Sequence, residues 1–325
     1  MPTSEKISLL LFLFVVTAIY ILELFFILVF VVTKLSHGQT TNILWCKPAI
    51  VIHLLAAAGI ICFLYGYLIE PYWIEVKVVQ IQTDKLKKTS FRLVQISDLH
   101  CDKKERNEKR IVRLINRMAP DIIVFTGDAI NTASALPLFK DTMRDLNAGL
   151  AKLAVRGNFE VRLWKNLDLF ADTGFELLDE KTVVLRKNGE TIYVSGLTCE
   201  NPSAFRNPLE SVPDGQYSVF LYHHSDLIED LAGLNVDLYL CGHTHGGQVA
   251  LPLYGALITL SKYGKKYESG MYTVGDTILY VNRGIGVETG SAPKVRFFAR
   301  PEITVFDIGP REQSSSRLYP ASYRQ

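Results

Sequence analysis

Apolar strand patterns that end at potential metal ligands constrain this chain more than any other sequence feature. In each case the ligand-type residue follows within three positions: segment 91–96 before Asp98, 121–125 before Asp128, 150–155 before Asn158, 217–222 before His223 and 236–240 before His243. Strand ends of an α/β sheet face one crevice, where ligands and catalytic groups collect. The pattern therefore predicts an α/β domain with one polar site at the edge of its sheet.

The polar blocks at these strand ends offer carboxylate, imidazole and amide ligands for two metal ions. In order they are Asp98-Leu99-His100, Gly127-Asp128, Gly157-Asn158, His223 and Gly242-His243-Thr244-His245. This mixture suits Mn²⁺, Fe or Zn²⁺ better than Ca²⁺ or a metal bound by thiolates, and we expect Mn²⁺. In an extended segment residues i and i+2 point to the same face, which pairs Asp98 with His100 and His243 with His245. Asp128 is the candidate bridge between two ions about 3.5–4 Å apart.

Glycine precedes three of these ligands, at Gly127, Gly157 and Gly242. Glycine permits the sharp turns and the close backbone approach that a metal pair requires. Gly275-Asp276 lies between two β segments and is interpreted as a turn instead. The histidines outside the ligand blocks are predicted to be ordinary core or surface residues: His37, His53 and His224.

Alternating and helical patterns continue between and after the ligand blocks. Further strands are predicted at 75–82, 182–186, 191–197, 271–274, 277–281 and 303–307, and helices at 107–118, 138–146 and 163–171. Asn188-Gly189 has the composition of a two-residue hairpin turn. The segment from Pro310 onward is polar and is predicted to be loose.

Two long apolar runs, 7–32 and 49–69, precede this domain. Each is long enough to cross a bilayer, which takes roughly 20 apolar residues. A cleaved signal peptide is the alternative for the first run, but its apolar core is usually only about 7–15 residues long. We therefore predict a transmembrane hairpin at 1–72, a catalytic domain at 73–309 and a tail at 310–325. Within the hairpin, Glu23 is expected to face the partner helix or to snorkel, and a packing role with His53 or a hydroxyl as its partner is favoured over a proton relay.

Charge and cysteine content bear on partners and location. The formal net charge is +2, without a dense basic stripe, so nucleic acid is not an expected partner. Five cysteines at irregular spacing do not suggest a disulfide framework, and a free Cys101 beside a predicted ligand favours a reducing compartment. No obligate protein partner is indicated.

Lysines outside the apolar runs favour a cytoplasmic catalytic domain in the inner membrane, by the positive-inside bias. They are Lys6 before the first run and Lys77, Lys85, Lys87 and Lys88 after the second, against Lys34 and Lys47 in the connecting loop. An aromatic cluster follows the second run and is expected to hold the domain close to the lipid surface: Tyr65, Tyr67, Tyr72 and Trp73.

The ligand blocks resemble those of the calcineurin-like metallophosphoesterase superfamily, which read D-x-H, G-D, G-N-H-[DE], H and G-H-x-H. The resemblance covers 92–307, and the segments 241–249 and 297–303, with Tyr254-Gly255, are similar to a bacterial membrane-associated branch. It implies a four-layer α/β/β/α sandwich, here preceded by the transmembrane hairpin, with two divalent metal ions between the sheet ends.

The resemblance also assigns the ligands. It implies one metal held by Asp98, His100, Asp128 and His245, and a second held by Asp128, Asn158, His223 and His243. Asp128, Asn158 and His243 are expected to act in catalysis as well. His223 is preferred over His224 because the family pattern H-x-[PS]-D matches His223-His224-Ser225-Asp226.

Phe159 stands where the family usually has a histidine that assists the leaving group. An alkoxide is about as basic as hydroxide (water's pKa is roughly 15.7) and needs a proton, whereas the second pKa of a phosphate monoester is near ~6. The resemblance and this departure together imply a pyrophosphate substrate, and UDP-2,3-diacylglucosamine, cut to UMP and lipid X, is the leading expectation. Such a lipid-linked nucleotide would stay in the membrane beside the enzyme.

Residues that would hold the substrate phosphates are less clearly marked. The candidates, each of which could instead be a solvated surface residue, are Arg156, Arg162, Asn282 and Arg283. Two other functions fit the same residues. One is a phosphodiesterase or lipid phosphatase of different specificity, and the other is a non-enzymatic metal-binding membrane scaffold, although no ligand position is eroded.

Overall fold

The computed structural model describes residues 2–37, 42–288 and 294–311. It begins with an antiparallel helical hairpin of α1 (Thr3–His37) and α2 (Lys47–Leu68). Both helices are long and apolar enough to cross a membrane and are candidate spans. Nδ1 of His53 in α2 lies 2.6 Å from Oε2 of Glu23 in α1, so the predicted partner of Glu23 is the one the structure shows.

The remaining residues alternate strands with short helices. In chain order the elements are β1 Glu75–Thr83, β2 Phe91–Ile96, α3 Glu108–Met118, β3 Ile122–Phe125, α4 Leu136–Asp145, β4 Ala151–Ala154, α5 Asn158–Leu163, β5 Glu176–Leu177, β6 Lys181–Lys187, β7 Glu190–Gly196, β8 Tyr217–Leu221, β9 Leu238–Cys241, β10 Ala250–Leu251, β11 Gly255–Ala256, β12 Gly270–Val274, β13 Thr277–Val281 and β14 Glu302–Pro310. The predicted turns at Asn188-Gly189 and Gly275-Asp276 close the β6–β7 and β12–β13 hairpins.

Two six-stranded sheets carry the domain. Their strand orders are β1-β14-β2-β3-β4-β5 and β12-β13-β9-β8-β7-β6. Within the first sheet, β2 to β5 run parallel, and within the second, β13, β9, β8 and β7 run parallel. The parallel strands therefore end at a common edge in each sheet, and these edges carry the predicted ligands.

Three layers of buried side chains hold the sandwich together. One apolar cluster lies between the sheets and includes Leu93 of β2 and Val219 of β8. A second packs α3 and α4 against the first sheet, through residues such as Ile115 and Phe139. The third covers the outer face of the second sheet, where short 3-10 helices at Pro202–Ala204 and Asn207–Ser211 and neighbouring turns replace long α-helices.

Two predicted segments differ from the structure. The helix expected at 163–171 is wrong: the helix is α5, which begins at Asn158 and ends at Leu163, and turns follow it. Glu160 explains the early start, since its carboxylate accepts from the backbone N–H of Gly157 at 2.6 Å and caps the helix. At the other end of the chain, β14 continues to Pro310, and positions 312–325 of the predicted tail lie outside the described residues.

Candidate metal centre

Five predicted ligands lie in turns directly after the strands and have left-handed backbone conformations. Their φ angles are +48° at Asp98, +39° at His100, +60° at Asp128, +69° at His243 and +51° at His245. Residues with a Cβ rarely adopt this region, and such strained residues cluster at functional sites. The expectation of extended i, i+2 pairs is therefore wrong, because tight turns aim these side chains.

The structure nevertheless brings all seven predicted ligands together. Asp98, His100 and His245 form one group, with potential ligand atoms within 4.8 Å of one another. His223, His243 and His224 form a second group by the same measure. His243 and His245 thus belong to different groups. The family resemblance implies this division, whereas an extended segment would place both side chains in the same group.

Asp128 lies between the two groups. Its Oδ2 is 3.5 Å from Nε2 of His100 and 3.3 Å from Nε2 of His223. Its Oδ1 accepts from the backbone N–H of Phe159 at 3.0 Å, which fixes the carboxylate plane. One carboxylate oxygen facing both groups is the geometry of a bridging ligand.

The donor set fits a pair of cations. Nδ1 of His223 donates to the carbonyl of Thr126 at 2.7 Å, so the lone pair of Nε2 faces Asp128 and the Asn158 Oδ1 atom, which is 3.0 Å away. Three acceptors that face one another repel unless a positive charge lies between them. Residues around such ligands commonly fix the imidazole tautomer in this way.

His100 gives the same indication in the first group. Its Nδ1 donates to Oδ1 of Asn131 at 3.0 Å, because the Asn131 amide is committed to donating to backbone carbonyls. Its Nε2 is buried and has no hydrogen-bond partner among the described residues. A buried, unpartnered nitrogen is costly, and a cation beside Asp128 would satisfy it.

The pKa values of the buried ligands show how strongly their charges interact. Burial raises the pKa of Asp98 to about 7, and Asp128 adds to that effect. Burial alone would lower the pKa of His223, but Asp128 and Asp98 outweigh it and raise the pKa to about 10. Burial likewise opposes ionisation of Asp128, yet His223 and His100 hold its pKa well below the usual range. The arrangement therefore favours a positive charge next to Asp128.

Glu160, for which no role was predicted, supports the centre through its buried carboxylate. Its buried carboxylate accepts from the backbone N–H groups of Asp128 (2.9 Å), Ala129 (2.6 Å) and Gly157 (2.6 Å). The loops after β3 and β4 are thereby tied together. The acidic residue that follows Asn158 by two positions in the G-N-x-[DE] block was the available signal.

His224 was predicted to be ordinary, and the structure places it in the site. Its Nε2 lies 3.2 Å from Oδ1 of Asn158, and its ring centroid is 4.1 Å from that of His243. The histidine pair at the end of β8 was the signal in the sequence. His224 is therefore a polar group next to two of the predicted ligands, Asn158 and His243.

Two of the four predicted substrate residues are engaged elsewhere. The side chain of Asn282 is buried, donates to Thr304 and accepts from the backbone of Gly284. Arg283 forms ion pairs with Glu302 at 2.6 Å and with Glu75. These contacts give Asn282 and Arg283 a structural role, which corrects the prediction that they bind phosphate.

The other two candidates for phosphate binding are Arg156 and Arg162. Arg156 is half-buried, and its Nε has no hydrogen-bond partner among the residues described. The guanidinium of Arg162 is exposed and lies 5.9 Å from the ring of Phe159, next to the site. Their role in phosphate binding stays a prediction.

The glycines beside the ligands leave no room for a side chain. A Cβ at Gly157 would lie 2.2 Å from Oδ1 of Asp128, and one at Gly242 would lie 2.1 Å from Oδ2 of Asp98. The prediction that glycine leaves room for the ligands is confirmed at both positions.

Replacing Gly157 by alanine is expected to lower metal content and turnover, because the added methyl group must displace the Asp128 carboxylate. A second-layer disturbance of this kind typically costs about 10–100-fold in metal affinity or activity. Metal titration of the purified protein measures the effect. Gly149→Ala is the matched control, since a Cβ there meets nothing closer than 3.8 Å; equal behaviour of the two variants would contradict the argument.

Comparison with known proteins identifies the family. A family model described as calcineurin-like phosphoesterase matches residues 91–247. The uncharacterized metallophosphoesterase YkuE of Bacillus subtilis is 35% identical over 266 residues, which cover 75% of this chain and 89% of the relative. The chain belongs to the calcineurin-like phosphoesterase family. It is accordingly a metal-dependent hydrolase of phosphorus–oxygen bonds, and the family uses divalent metal ions.

Two further members of the calcineurin-like phosphoesterase family carry more specific names. The UDP-2,3-diacylglucosamine pyrophosphatase LpxG of Chlamydia muridarum is 24% identical, and the match covers 77% of this chain and 94% of LpxG. The phosphodiesterase YaeI of Escherichia coli is 26% identical, with 76% of this chain and 92% of YaeI covered. The relatives thus share the domain and differ in their named activities.

Proposed function

We propose that this protein is a membrane-anchored, dinuclear-metal pyrophosphatase that cuts UDP-2,3-diacylglucosamine to UMP and lipid X. The observation that carries the proposal is Phe159. Its ring is buried edge-on against His100, with ring centroids 4.7 Å apart, so the usual position of the acid holds an apolar group. A phosphate leaving group needs little protonation and tolerates this replacement far better than an alcohol does.

Asp98, His100, Asp128 and His245 would hold one divalent cation, and Asp128, Asn158, His223 and His243 the other, with Mn²⁺ preferred. When bound, such cations lower the pKa of the attacking water and neutralise phosphoryl oxygens. The chain itself contributes orientation: the Phe159 N–H holds one oxygen of Asp128, and the Thr126 carbonyl holds the imidazole of His223. Arg156 and Arg162 would contact the substrate phosphates.

The candidate spans support a substrate that stays in the bilayer. We place the protein in the inner membrane with two spans and the catalytic domain on the cytoplasmic side, from the distribution of lysines. The free thiol of Cys101 does not help to decide between a reducing and an oxidising compartment, because it is buried and burial raises its pKa. The name of the LpxG relative agrees with the lipid-linked substrate.

The deciding experiment incubates detergent-solubilised full-length protein with UDP-2,3-diacylglucosamine and Mn²⁺. UMP and lipid X are expected as products, and Asp128→Ala serves as the inactive control. Absence of UMP from the unmutated protein, under conditions in which it hydrolyses another phosphoester, would reject the substrate and retain the enzyme class.

A phosphodiesterase is the second candidate, and His224 favours it. Its Nε2–H can donate to Asn158 at 3.2 Å, so an imidazole lies beside the site although Phe159 supplies none. Such a group could serve an alcohol leaving group. The YaeI relative bears the name phosphodiesterase.

His224→Ala separates the two candidates. If a pyrophosphate is the substrate, UMP release should change little, whereas an ester with an alcohol leaving group should lose about a hundredfold in turnover, the usual contribution of a general acid. Rates with UDP-2,3-diacylglucosamine and with an alkyl phosphodiester give the comparison. His224→Gln controls for packing, since it retains an N–H donor but cannot transfer a proton near neutral pH.

A further inference from the structure

Four exposed apolar side chains form a rim beside the metal centre: Leu253, Tyr254, Leu260 and Phe298. Leu253 is fully exposed and Phe298 is 59% exposed. Leu253, Leu260 and Phe298 also have left-handed backbones, with φ of +64°, +57° and +52°. A folded chain that accepts strained backbone in order to expose large apolar groups indicates a function for this surface.

Both ends of the helical hairpin are bonded to the loops that carry the rim. At the start of α1, the hydroxyl of Ser8 lies 2.5 Å from that of Tyr254, and Glu5 accepts from the hydroxyl of Thr259 at 2.6 Å. The carboxylate of Glu5 is buried in this contact. The beginning of the first candidate span thus fixes the loop that contains Leu253 and Leu260.

The end of the second helix fixes the loop of Phe298 in the same manner. The buried carboxylate of Glu70 accepts from the backbone N–H groups of Phe298 (3.0 Å) and Ala299 (2.6 Å). The carbonyl of Gly66 accepts from the N–H of Arg296 at 2.9 Å. The rim therefore lies at the level where both helices leave the domain.

The flanking side chains suit a lipid surface. Nζ of Lys265 lies 4.0 Å over the ring of Tyr254, and the guanidinium of Arg300 lies 4.3 Å over that of Trp73. Aromatic rings next to cations are typical of the headgroup region, where rings sit at the interface and cations meet anionic lipids.

The rim loops also contact the predicted ligands. The carbonyl of Leu260 accepts from Nε2 of His243 at 3.4 Å. The turn His245–Gly247 leads into Gln248, whose carbonyl accepts from the N–H of Phe297 at 2.9 Å. The loops that carry the rim are therefore linked to the predicted ligands, directly at His243 and through Gln248 in the turn that follows His245.

We propose that this rim inserts into the headgroup region of the bilayer and presents the metal centre to phosphorylated lipids in the same leaflet. The proposal rests on α1 and α2 spanning the membrane. It commits to a lipid surface because the rim continues the membrane-facing ends of both helices, and it requires no particular phosphorylated headgroup.

The first test measures insertion without any substrate. Full-length Leu253→Trp is reconstituted into vesicles that contain phospholipids brominated near the headgroup. The fluorescence that the new tryptophan adds to that of the three native ones should be quenched. Val184→Trp is the control, since Val184 is a 39% exposed residue on β6, the opposite edge strand from β12. Equal quenching of the two added signals would overturn the proposal.

The second test compares two substrates in the same vesicles. Leu253→Ser/Phe298→Ser should lower turnover of UDP-2,3-diacylglucosamine in the bilayer about tenfold or more, from the lost apolar burial of two large side chains. Turnover of water-soluble bis(p-nitrophenyl) phosphate should stay within about twofold, as should both rates in Val184→Ser. A parallel loss of both rates in the double variant and in Leu253→Ser alone would contradict the proposal, because the rim would then act through folding. Should the unmutated protein not cut the UDP-lipid, the proposed substrate fails while the quenching result still decides insertion.

Discussion

Asp128→Asn is expected to abolish turnover, with a loss of about a thousandfold or more, because it removes a negative charge that faces both ligand groups. Oδ2 of Asp128 is within 3.5 Å of Nε2 of both His100 and His223. Asparagine retains the shape and can still accept from the Phe159 N–H, but it is neutral and offers one acceptor oxygen. We therefore expect Asp128→Asn to bind less metal while it remains folded.

The measurement pairs turnover of a soluble phosphoester with elemental analysis of the bound metal. Asp141→Asn is the control, since Asp141 is exposed and pairs only with Arg144 in the described part of the chain. Retention of two ions and of normal turnover in Asp128→Asn would remove the basis for a bridged metal pair. If Asp128→Asn retains the metal and loses only turnover, the role of Asp128 is to orient the substrate rather than to hold the ions.

Arg296→Met should produce a large loss of stability in this domain. Arg296 is fully buried and donates to the carbonyls of Gly286 (2.8 Å), Ala299 (2.7 Å) and Arg283 (2.9 Å). Methionine fills much of the volume but leaves these carbonyls without a donor. A buried carbonyl left without a donor costs about 1–3 kcal/mol, so the loss of these bonds predicts a destabilisation of roughly 3–5 kcal/mol, which for a domain of this size lowers Tm by roughly 10 °C.

Thermal unfolding of the solubilised protein measures this loss, with Arg186→Met, an exposed arginine on β6, as the matched control. Metal retention should fall as well, because the N–H of Gly286 donates to the carbonyl of Asp98 at 2.7 Å. An unchanged Tm in Arg296→Met would show that water replaces the guanidinium without cost. The Tm of Arg296→Lys should lie between those of Arg296→Met and the unmutated protein, since lysine keeps the charge but not the planar set of donors.

The residues that could be predicted are those with a local signal. Short apolar runs followed by Asp, Asn or His predicted the strands and the ligands, because the buried apolar residues and the ligand that follows them lie within about ten positions of one another. The left-handed turns at Asp98 and His243 left none, because the sheet edges and the neighbouring loops impose them. The helix at 163–171 was misplaced for a related reason: α5 depends on Glu160, whose partners lie on two different loops.

Arg296 and Glu70 could not have been found from the sequence. Each is one charged residue among many, and neither has a pattern that marks it as buried. Their burial follows from backbone groups that folded loops place around them: the loop 283–286 and Ala299 for Arg296, and one loop more than 220 positions away for Glu70. Only the assembled fold creates these sites, so local composition carries no information about them.

The contacts of Glu5 and Glu70 have a consequence for the kinetics of the enzyme. With α1 and α2 spanning the membrane as proposed, a domain tied to them at two separate places would not swing on a tether and would keep one face toward the leaflet from which it emerges. An enzyme held in this way would meet the proposed lipid substrate by lateral diffusion in two dimensions. Its rate then follows the mole fraction of substrate in that leaflet, and diluting the vesicles in buffer leaves the rate per enzyme unchanged.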